Sequence, residues 1–267
     1  MSELRADRQT FLEAWRTQTA VIGALMMREI YSRFGRSNIG FLWLFVEPAM
    51  FSTGVICLWM LAKSDAHVET PVVPFILTGY MPLIMYRHVV QFSLRCMQSN
   101  QTLFFHRHVA VLSVYLSRQI VEVFGVLVAF IACMVYFAIF GLVEMPYDVS
   151  MMTAGWLLYI WYCMAFAMVV GGLSERVEIV HKLWHPISYI TIPTTGAFFM
   201  LYWLPPEARE ILLFFPQVTA SEIIRGGYFG PSVTIYTAVE YSMGVCTALT
   251  VWGLYLVHGA RRHLETV

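Results

Sequence analysis

Charged side chains inside otherwise apolar stretches are the residues of this sequence best placed to do chemistry. Four of them are Glu47, Arg87, Glu122 and Glu240. Such a group costs at least ~2.5 kcal/mol near a bilayer centre, so it usually faces a protein interior or an aqueous path. Glu47 precedes Pro48, which tends to kink a helix. We assign Glu47 and Arg87 to a path through the membrane. A structural role for Glu47, and a buried ion pair or an interfacial position for Arg87 and Glu122, remain alternatives.

The other polar residues do not predict a catalytic or metal site. Neither Lys63 nor Lys182 follows a glycine, so the sequence lacks a phosphate-binding loop of the G-x-x-x-x-G-K-[ST] type. His181 and His185 have metal-ligand spacing but lack the glutamate of H-E-x-x-H, and Pro186 disfavours helical geometry at His185. We expect no catalytic residue, metal or cofactor in this chain. ATP-driven work would need a partner that binds ATP and Mg.

Six apolar stretches carry the charged residues. A membrane-spanning helix needs about 20 mostly apolar residues. Of the 267 residues, 58% are hydrophobic and 13% are charged, and a soluble domain could not hide that much apolar surface from water. The sequence therefore predicts an all-α membrane protein with six transmembrane helices. The stretches cover residues 40–62, 72–94, 112–141, 150–172, 187–204 and 233–258.

Basic residues predict the orientation of the spans. Lysine and arginine are enriched in cytoplasmic segments. With a cytoplasmic N-terminus, the inside segments hold Arg5, Arg8, Arg16, Arg28, Arg33, Arg36, Arg95, Arg107, Arg118, Arg176, Lys182, Arg261 and Arg262. The outside links then hold Lys63, Arg209 and Arg225. We predict a multi-pass protein whose N- and C-termini are both cytoplasmic.

Residues 9–31, before the first span, predict an amphipathic helix in the cytoplasmic headgroup layer. The residues close to one helical face are Phe11, Trp15, Ile22, Leu25 and Met26. An apolar face with a tryptophan and flanking arginines is typical of interfacial helices. This helix would be a plain surface anchor or would border an entry gate for a lipid-linked substrate, and composition does not choose between them.

Three motifs follow one another along nearly the whole chain. The first, within residues 27–51, contains Arg28-Glu29-Ile30, Arg33-Phe34-Gly35, a small-residue turn from Ser37 to Gly40, Leu42-Trp43 and Glu47-Pro48. The second, within residues 99–122, contains Asn100, Leu103-Phe104, Arg107, Val109, Arg118 and Glu122. The third, residues 215–230, reads FPQVTASEIIRGGYFG.

These motifs resemble ABC-2-type permeases that export cell-surface polysaccharides, and the second resembles the capsular polysaccharide branch. Two positions depart from the family pattern, since Phe215 and Thr219 stand where the family has Asn and His. The resemblance implies a type V exporter-like fold of six spans. It also implies an N-terminal interface helix and a re-entrant periplasmic helical segment before the last span.

The resemblance implies one membrane domain between two cytoplasmic segments. Residues 1–38 would be the N-terminus with its interface helix, 39–258 the six-span domain and 259–267 the tail. The domain would contain a coupling helix at about residues 99–110 and the re-entrant segment at about 205–230. That second segment is too polar and broken for a span, although its ILLFF run is too apolar for a loop.

The resemblance further implies the transmembrane subunit of an ABC transporter in the bacterial inner membrane, exporting lipid-linked capsular polysaccharide. The subunit would form a homodimer and bind two copies of a separate ATPase. In a Gram-negative cell, a periplasmic polysaccharide co-polymerase and an outer-membrane export protein would be further partners, and no nucleic acid is expected. The same fold could instead export O-antigen, teichoic acid or a drug. A stand-alone carrier or transferase is a more distant alternative.

The resemblance also assigns roles to individual residues. Aromatic rings that could line a sugar path are Trp43, Trp59, Tyr80, Tyr86, Tyr159, Trp184, Tyr189 and Tyr202. Because the family's first and fifth spans line its conduit, our substrate-pathway residues are Arg28, Arg33, Arg36, Trp43, Glu47, Trp59, Arg87 and Tyr189. The first three would pair with a substrate phosphate or simply carry positive-inside charge. Residues that would contact the ATPase are Leu103, Phe104, Phe105, Arg107 and His108, with interfacial anchoring of the aromatic pair as the alternative.

Overall fold

The computed structural model describes residues 2–34, 42–62, 70–100 and 110–264. Side chains are described throughout these ranges except at residues 2–12, 14, 33, 34, 62 and 260–264. Within this part of the chain the secondary structure is entirely helical, with nine α-helices and short 3₁₀ turns. The helices are α1 Ser2–Phe34, α2 Trp43–Ala62, α3 Val72–Ser93, α4 Val111–Ile139, α5 Val149–Ser174, α6 Glu178–Ile190, α7 Pro206–Leu213, α8 Pro216–Phe229 and α9 Val239–Leu264.

In the described part of the chain, three helices are long and apolar enough to cross a membrane. They are Trp43–Leu61 in α2, Val111–Ile139 in α4 and Val149–Ser174 in α5. Helices suit a bilayer because each satisfies its backbone hydrogen bonds internally. The all-helical architecture and these apolar helices agree with the prediction of an all-α membrane protein.

The fifth apolar stretch is broken rather than continuous. Helix α6 ends at Ile190, and residues 192–194 and 201–203 form separate 3₁₀ turns. The prediction of one continuous helix over residues 187–204 is therefore wrong. Pro193 removes a backbone donor, and Gly196 adopts a positive φ of 73°, a conformation that favours glycine and ends helical geometry.

Residues 205–230 form two helices. Both α7 and α8 begin with a proline, whose fixed φ suits the first helical position. Helix α8 is buried and packs against α5. Small residues let the two backbones approach, since a Cβ on Gly155 would stand 2.7 Å from the Ile224 backbone nitrogen. The segment thus contains two short helices, and its re-entrant position in the periplasm stays a prediction.

Polar side chains of α8 bind backbone groups of the broken segment, residues 191–204. Buried Arg225 donates to the carbonyl oxygens of Phe199 and, at 2.9 Å, Ala197. Buried Glu222 accepts hydrogen bonds from the backbone nitrogens of Leu201 at 3.1 Å and Tyr236 at 3.4 Å. The three bonds to residues 197–201 satisfy groups that a continuous helix would satisfy internally, as broken helices in membranes require.

The N-terminal helix is longer than predicted and packs against α4. Leu25 is buried beside Met97 and Val111, whereas Trp15 is 62% exposed. Gln18 Nε2 donates to Ser113 Oγ at 2.5 Å. The helix predicted over residues 9–31 is therefore present. Its packed face includes Leu25 and the polar residue Gln18, whereas Trp15 of the predicted apolar face is exposed.

Candidate functional site

A cavity of about 350 Å³ lies between α2, α3 and α6. It brings together three of the predicted pathway residues, namely Glu47, Arg87 and Tyr189. Each helix lines it with residues spaced three, four or seven apart, which places them on one helical face. The volume falls near the lower end of the range for small-molecule sites, roughly 300–1,000 Å³.

Arg87 is held in this cavity by an aromatic ring. Its guanidinium carbon lies 4.4 Å from the centre of the Tyr189 ring, a distance at which a cation is attracted to the ring. No carboxylate in the described part of the chain forms an ion pair with Arg87. The geometry therefore differs from the buried ion pair that we considered as the alternative for this residue.

Glu122 has the structural environment that we considered for it. Its carboxylate is buried and lies 3.5 Å from Nδ1 of His88, which lines the cavity from α3. A buried carboxylate needs such a partner because removing its charge from water is costly. Glu122 thus helps to orient the His88 ring from outside the cavity.

The α6 wall of the cavity is largely aromatic. Trp184 is buried and contacts Tyr86 edge-on, with ring centres 6.0 Å apart. Tyr189 is 49% exposed, and the His185 ring meets it edge-on at 5.3 Å. A buried ring and two accessible rings therefore form one continuous wall.

A row of aromatic rings leads away from the cavity. Tyr80, which lines the cavity, lies 5.9 Å from Phe198. Phe198 stacks on Trp59 at 6.4 Å with an interplanar angle of 8°, and Trp59 contacts Phe75 at 5.5 Å. Phe75 then contacts Trp203 at 5.2 Å. The predicted pathway residue Trp59 thus belongs to this row and not to the cavity lining.

The remaining predicted pathway residues lie elsewhere. Trp43, at the start of α2, is 53% exposed and does not line the cavity. Arg28 donates a hydrogen bond to Asn100 Oδ1. The Arg33 side chain and all of Arg36 lie outside the described residues.

The predicted ATPase-contact residues also lie outside the described residues. They are Leu103, Phe104, Phe105, Arg107 and His108. The segment before them, residues 94–100, is described and contacts several helices. Arg118 of α4 donates to Ser99 Oγ at 3.0 Å and pairs with Glu29 of α1 at 3.2 Å.

The same segment is tied to the ends of α5 and α6. Glu175, directly after α5, accepts a 2.6 Å hydrogen bond from the Met97 backbone nitrogen. Burial raises the pKa of Glu175, and hydrogen bonds from the backbone of Met97 and Gln98 oppose the rise. Arg95, which has a positive φ of 49°, pairs with Glu178 of α6 at 3.3 Å. Residues 94–100 therefore connect α1, α4, α5 and α6.

No protein-family model matches this chain. The chain is 36% identical over 258 residues to the capsule polysaccharide export inner-membrane protein CtrC of Neisseria meningitidis serogroup B, covering 97% of both chains. It is 32% identical over 259 residues to BexB of Haemophilus influenzae, which carries the same description, covering 97% of this chain and 98% of BexB. The chain belongs to this family of capsule polysaccharide export inner-membrane proteins.

A more distant relative is the polysialic acid transport protein KpsM of Escherichia coli. It is 25% identical over 235 residues, which cover 82% of this chain and 86% of KpsM. The family resemblance inferred from the three motifs is confirmed. The cavity described above therefore belongs to a member of a capsule-export family.

Several residues of the site were not singled out from sequence. His88, Gln91 and Ser188 line the cavity, and Glu175 binds the backbone before the predicted coupling helix. The spacing of Tyr80, Arg87 and His88 along α3 follows one helical face and could have indicated part of the lining. No comparable local signal marks Glu175, because its partner lies 78 residues away.

Proposed function

We propose that this chain is the transmembrane subunit of an ABC transporter that exports lipid-linked capsular polysaccharide across the bacterial inner membrane. The observation that carries the proposal is its 32–36% identity to CtrC and BexB over nearly the full length of all three proteins. The apolar helices α2, α4 and α5 support the membrane location. The sequence has no phosphate-binding loop, which supports binding of ATP and Mg by a separate ATPase.

The proposed topology has six spans and cytoplasmic termini. Helices α2, α3, α4, α5 and α9 would be five spans, and α6 with the broken segment after it would be the other. Helices α3 and α9 have 22 and 26 residues, enough to cross a hydrocarbon core at 1.5 Å per residue. Helices α7 and α8 would form the periplasmic re-entrant segment, and α1 would lie at the cytoplasmic surface. The distribution of basic residues supports this orientation.

The proposed assembly is a homodimer with two ATPase subunits. The coupling helix, predicted at about residues 99–110, would dock into the ATPase. The adjoining segment, residues 94–100, contacts α1, α4, α5 and α6. Helix α6 also lines the cavity. A movement of the coupling helix would therefore be transmitted to the cavity through residues 94–100 and α6. A periplasmic co-polymerase and an outer-membrane export protein would continue the route.

The decisive experiment is deletion of the gene from its own encapsulated host, followed by complementation. We expect the deletion strain to accumulate polysaccharide inside the cell and to lose surface capsule, and the intact gene to restore it. Gentle purification of the complemented protein should recover a P-loop ATPase in stoichiometric amount. Normal surface capsule in the deletion strain would refute the proposed function, and restored export without any ATPase would refute the ABC class.

A further inference from the structure

The cavity between α2, α3 and α6 combines aromatic rings with planar polar side chains. Trp184 and Tyr189 present rings, while Glu47, Arg87 and Gln91 present groups that donate or accept several hydrogen bonds. A lipid chain would cover these polar groups without forming hydrogen bonds to them, at a cost of about 1–3 kcal/mol for each group removed from water. The lining therefore suits a ligand that has both hydroxyl groups and C–H faces, as sugar rings have.

Arg87 gives the cavity a fixed positive charge. A guanidinium offers five N–H donors in a plane. The Tyr189 ring, 4.4 Å away, holds it against the cavity wall. In the described part of the chain no carboxylate forms an ion pair with it. An anionic oxygen group on a ligand could therefore receive charge-assisted, bidentate hydrogen bonds from Arg87.

Glu47 lines the same cavity from α2 and carries the opposite charge. A carboxylate accepts hydrogen bonds from sugar hydroxyls but repels an anionic group. A bound acidic sugar would therefore turn its anionic group toward Arg87 on α3 and its hydroxyls toward α2. The two charges together orient the ligand without making the site strongly cationic, which allows a bound sugar to leave.

The size and position of the cavity fit a short piece of a longer chain. Its volume of about 350 Å³ accommodates a small ligand. The aromatic row begins at Tyr80 in the cavity lining and continues through Phe198 and Trp59. Neighbouring sugar units could contact those rings while one unit occupies the cavity.

We propose that this cavity is a binding subsite for a sugar unit that carries an anionic oxygen group, with Arg87 binding that group and Tyr189 positioning Arg87. The anionic group is a carboxylate of the chain or a phosphate at its lipid-linked end. The inference rests on the proposed function. It adds the chemistry of the ligand and the residues that bind its anionic group.

The test measures ligand binding to the full-length protein in lipid nanodiscs, together with any ATPase that co-purifies. The probes are a uronic acid oligosaccharide, a neutral oligosaccharide of equal length, and a phosphate-headed glycolipid with a neutral sugar. We expect at least one anionic probe to bind about tenfold or more tightly than the neutral one. Arg87→Gln should remove that difference, and Arg87→Lys should retain part of it.

Lys182→Gln is the matched control, because it removes an exposed positive charge from α6 outside the cavity lining. It should leave all affinities unchanged. Tyr189→Leu removes the ring beside Arg87 and should weaken binding of the anionic probe alone. Tyr189→Phe keeps that ring and should therefore retain the preference for the anionic probe over the neutral one. This pair keeps the test decisive if Arg87→Gln fails to fold.

The outcomes separate the two ligand sources. Arg87-dependent binding of the uronic acid probe assigns the subsite to the chain, and Arg87-dependent binding of the glycolipid assigns it to the lipid-linked end. Equal binding of neutral and anionic probes, no binding, or unchanged binding by Arg87→Gln would overturn the inference. Any of those results alongside capsule loss in the deletion strain would overturn the subsite while leaving the proposed function intact. Normal capsule in that strain would overturn the function itself.

Discussion

Substitution of Gly79 tests how closely α3 packs against the broken segment. A Cβ at this position would overlap with the carbonyl oxygen of Ala197 and with Nη2 of Arg225, and would stand 3.0 Å from the Ala197 carbonyl carbon. Arg225 Nη2 donates a 2.9 Å hydrogen bond to that same oxygen. Gly79→Ala must therefore displace both partners of a buried, charge-assisted hydrogen bond.

The expected effect of Gly79→Ala can be worked from these contacts. Losing a hydrogen bond to a charged group costs about 1.5–3 kcal/mol, and overpacking a filled site costs about 1–3 kcal/mol. Alanine recovers about 0.5–1 kcal/mol through its better helix propensity. We expect a net loss of about 2–5 kcal/mol in the free energy of unfolding.

Gly54→Ala on α2 is the matched control, since a Cβ there meets no atom within 4 Å. The assay is thermal unfolding of the purified full-length protein in one detergent at one heating rate, because such unfolding is often irreversible. Gly79→Ala should lower the unfolding temperature by at least about 4 °C, and Gly54→Ala should leave it unchanged or raise it slightly. Equal unfolding temperatures for the two variants would show that α3 does not pack against the Ala197 carbonyl.

Three further variants test other parts of the structure. Glu222→Ala removes the acceptor of two backbone N–H groups, so it should cost about 2–6 kcal/mol of unfolding free energy, measured by the same thermal assay. Glu47→Gln should reduce surface capsule in the complemented strain more than it reduces the amount of protein in the membrane. Arg107→Glu combined with Phe104→Ala should leave the protein in the membrane but uncouple ATP hydrolysis from export, measured with the reconstituted complex.

Each of these variants has a result that would contradict the reasoning. Unfolding of Glu222→Ala at the wild-type temperature would mean that the carboxylate does not hold the broken segment. Full capsule export by Glu47→Gln would return Glu47 to a structural role. Normal coupling in the double variant would remove residues 99–110 from the proposed ATPase contact, and exposed Lys182→Gln serves as its control for a changed surface charge.

The class of this protein follows from its sequence because a bilayer imposes simple demands. Long apolar stretches must form helices there, since no water is present to bind exposed backbone groups. The stretches 40–62, 112–141 and 150–172 therefore correspond closely to α2, α4 and α5. The order of the three motifs likewise indicated the family that CtrC and BexB confirm.

The sequence also indicated part of the candidate site. Glu47 and Arg87 stood out because charges are costly inside apolar segments, and both line the cavity together with Tyr189. Trp43 and Trp59 were chosen as aromatic residues of the first span, yet neither lines the cavity. The aromatic pattern alone could not separate them, because rings also serve at membrane interfaces and in helix packing.

Tertiary structure alone decided how the fifth stretch is arranged. Its composition is apolar enough for a span, and Pro193 and Gly196 mark a local weakness. What makes the break tolerable is the set of hydrogen bonds that Arg225 donates and Glu222 accepts. Both side chains lie more than 20 residues away from their partners at 197–201. Local sequence reports the propensity to form a helix, but an interrupted helix persists in a membrane only where distant side chains satisfy the backbone groups that it leaves free.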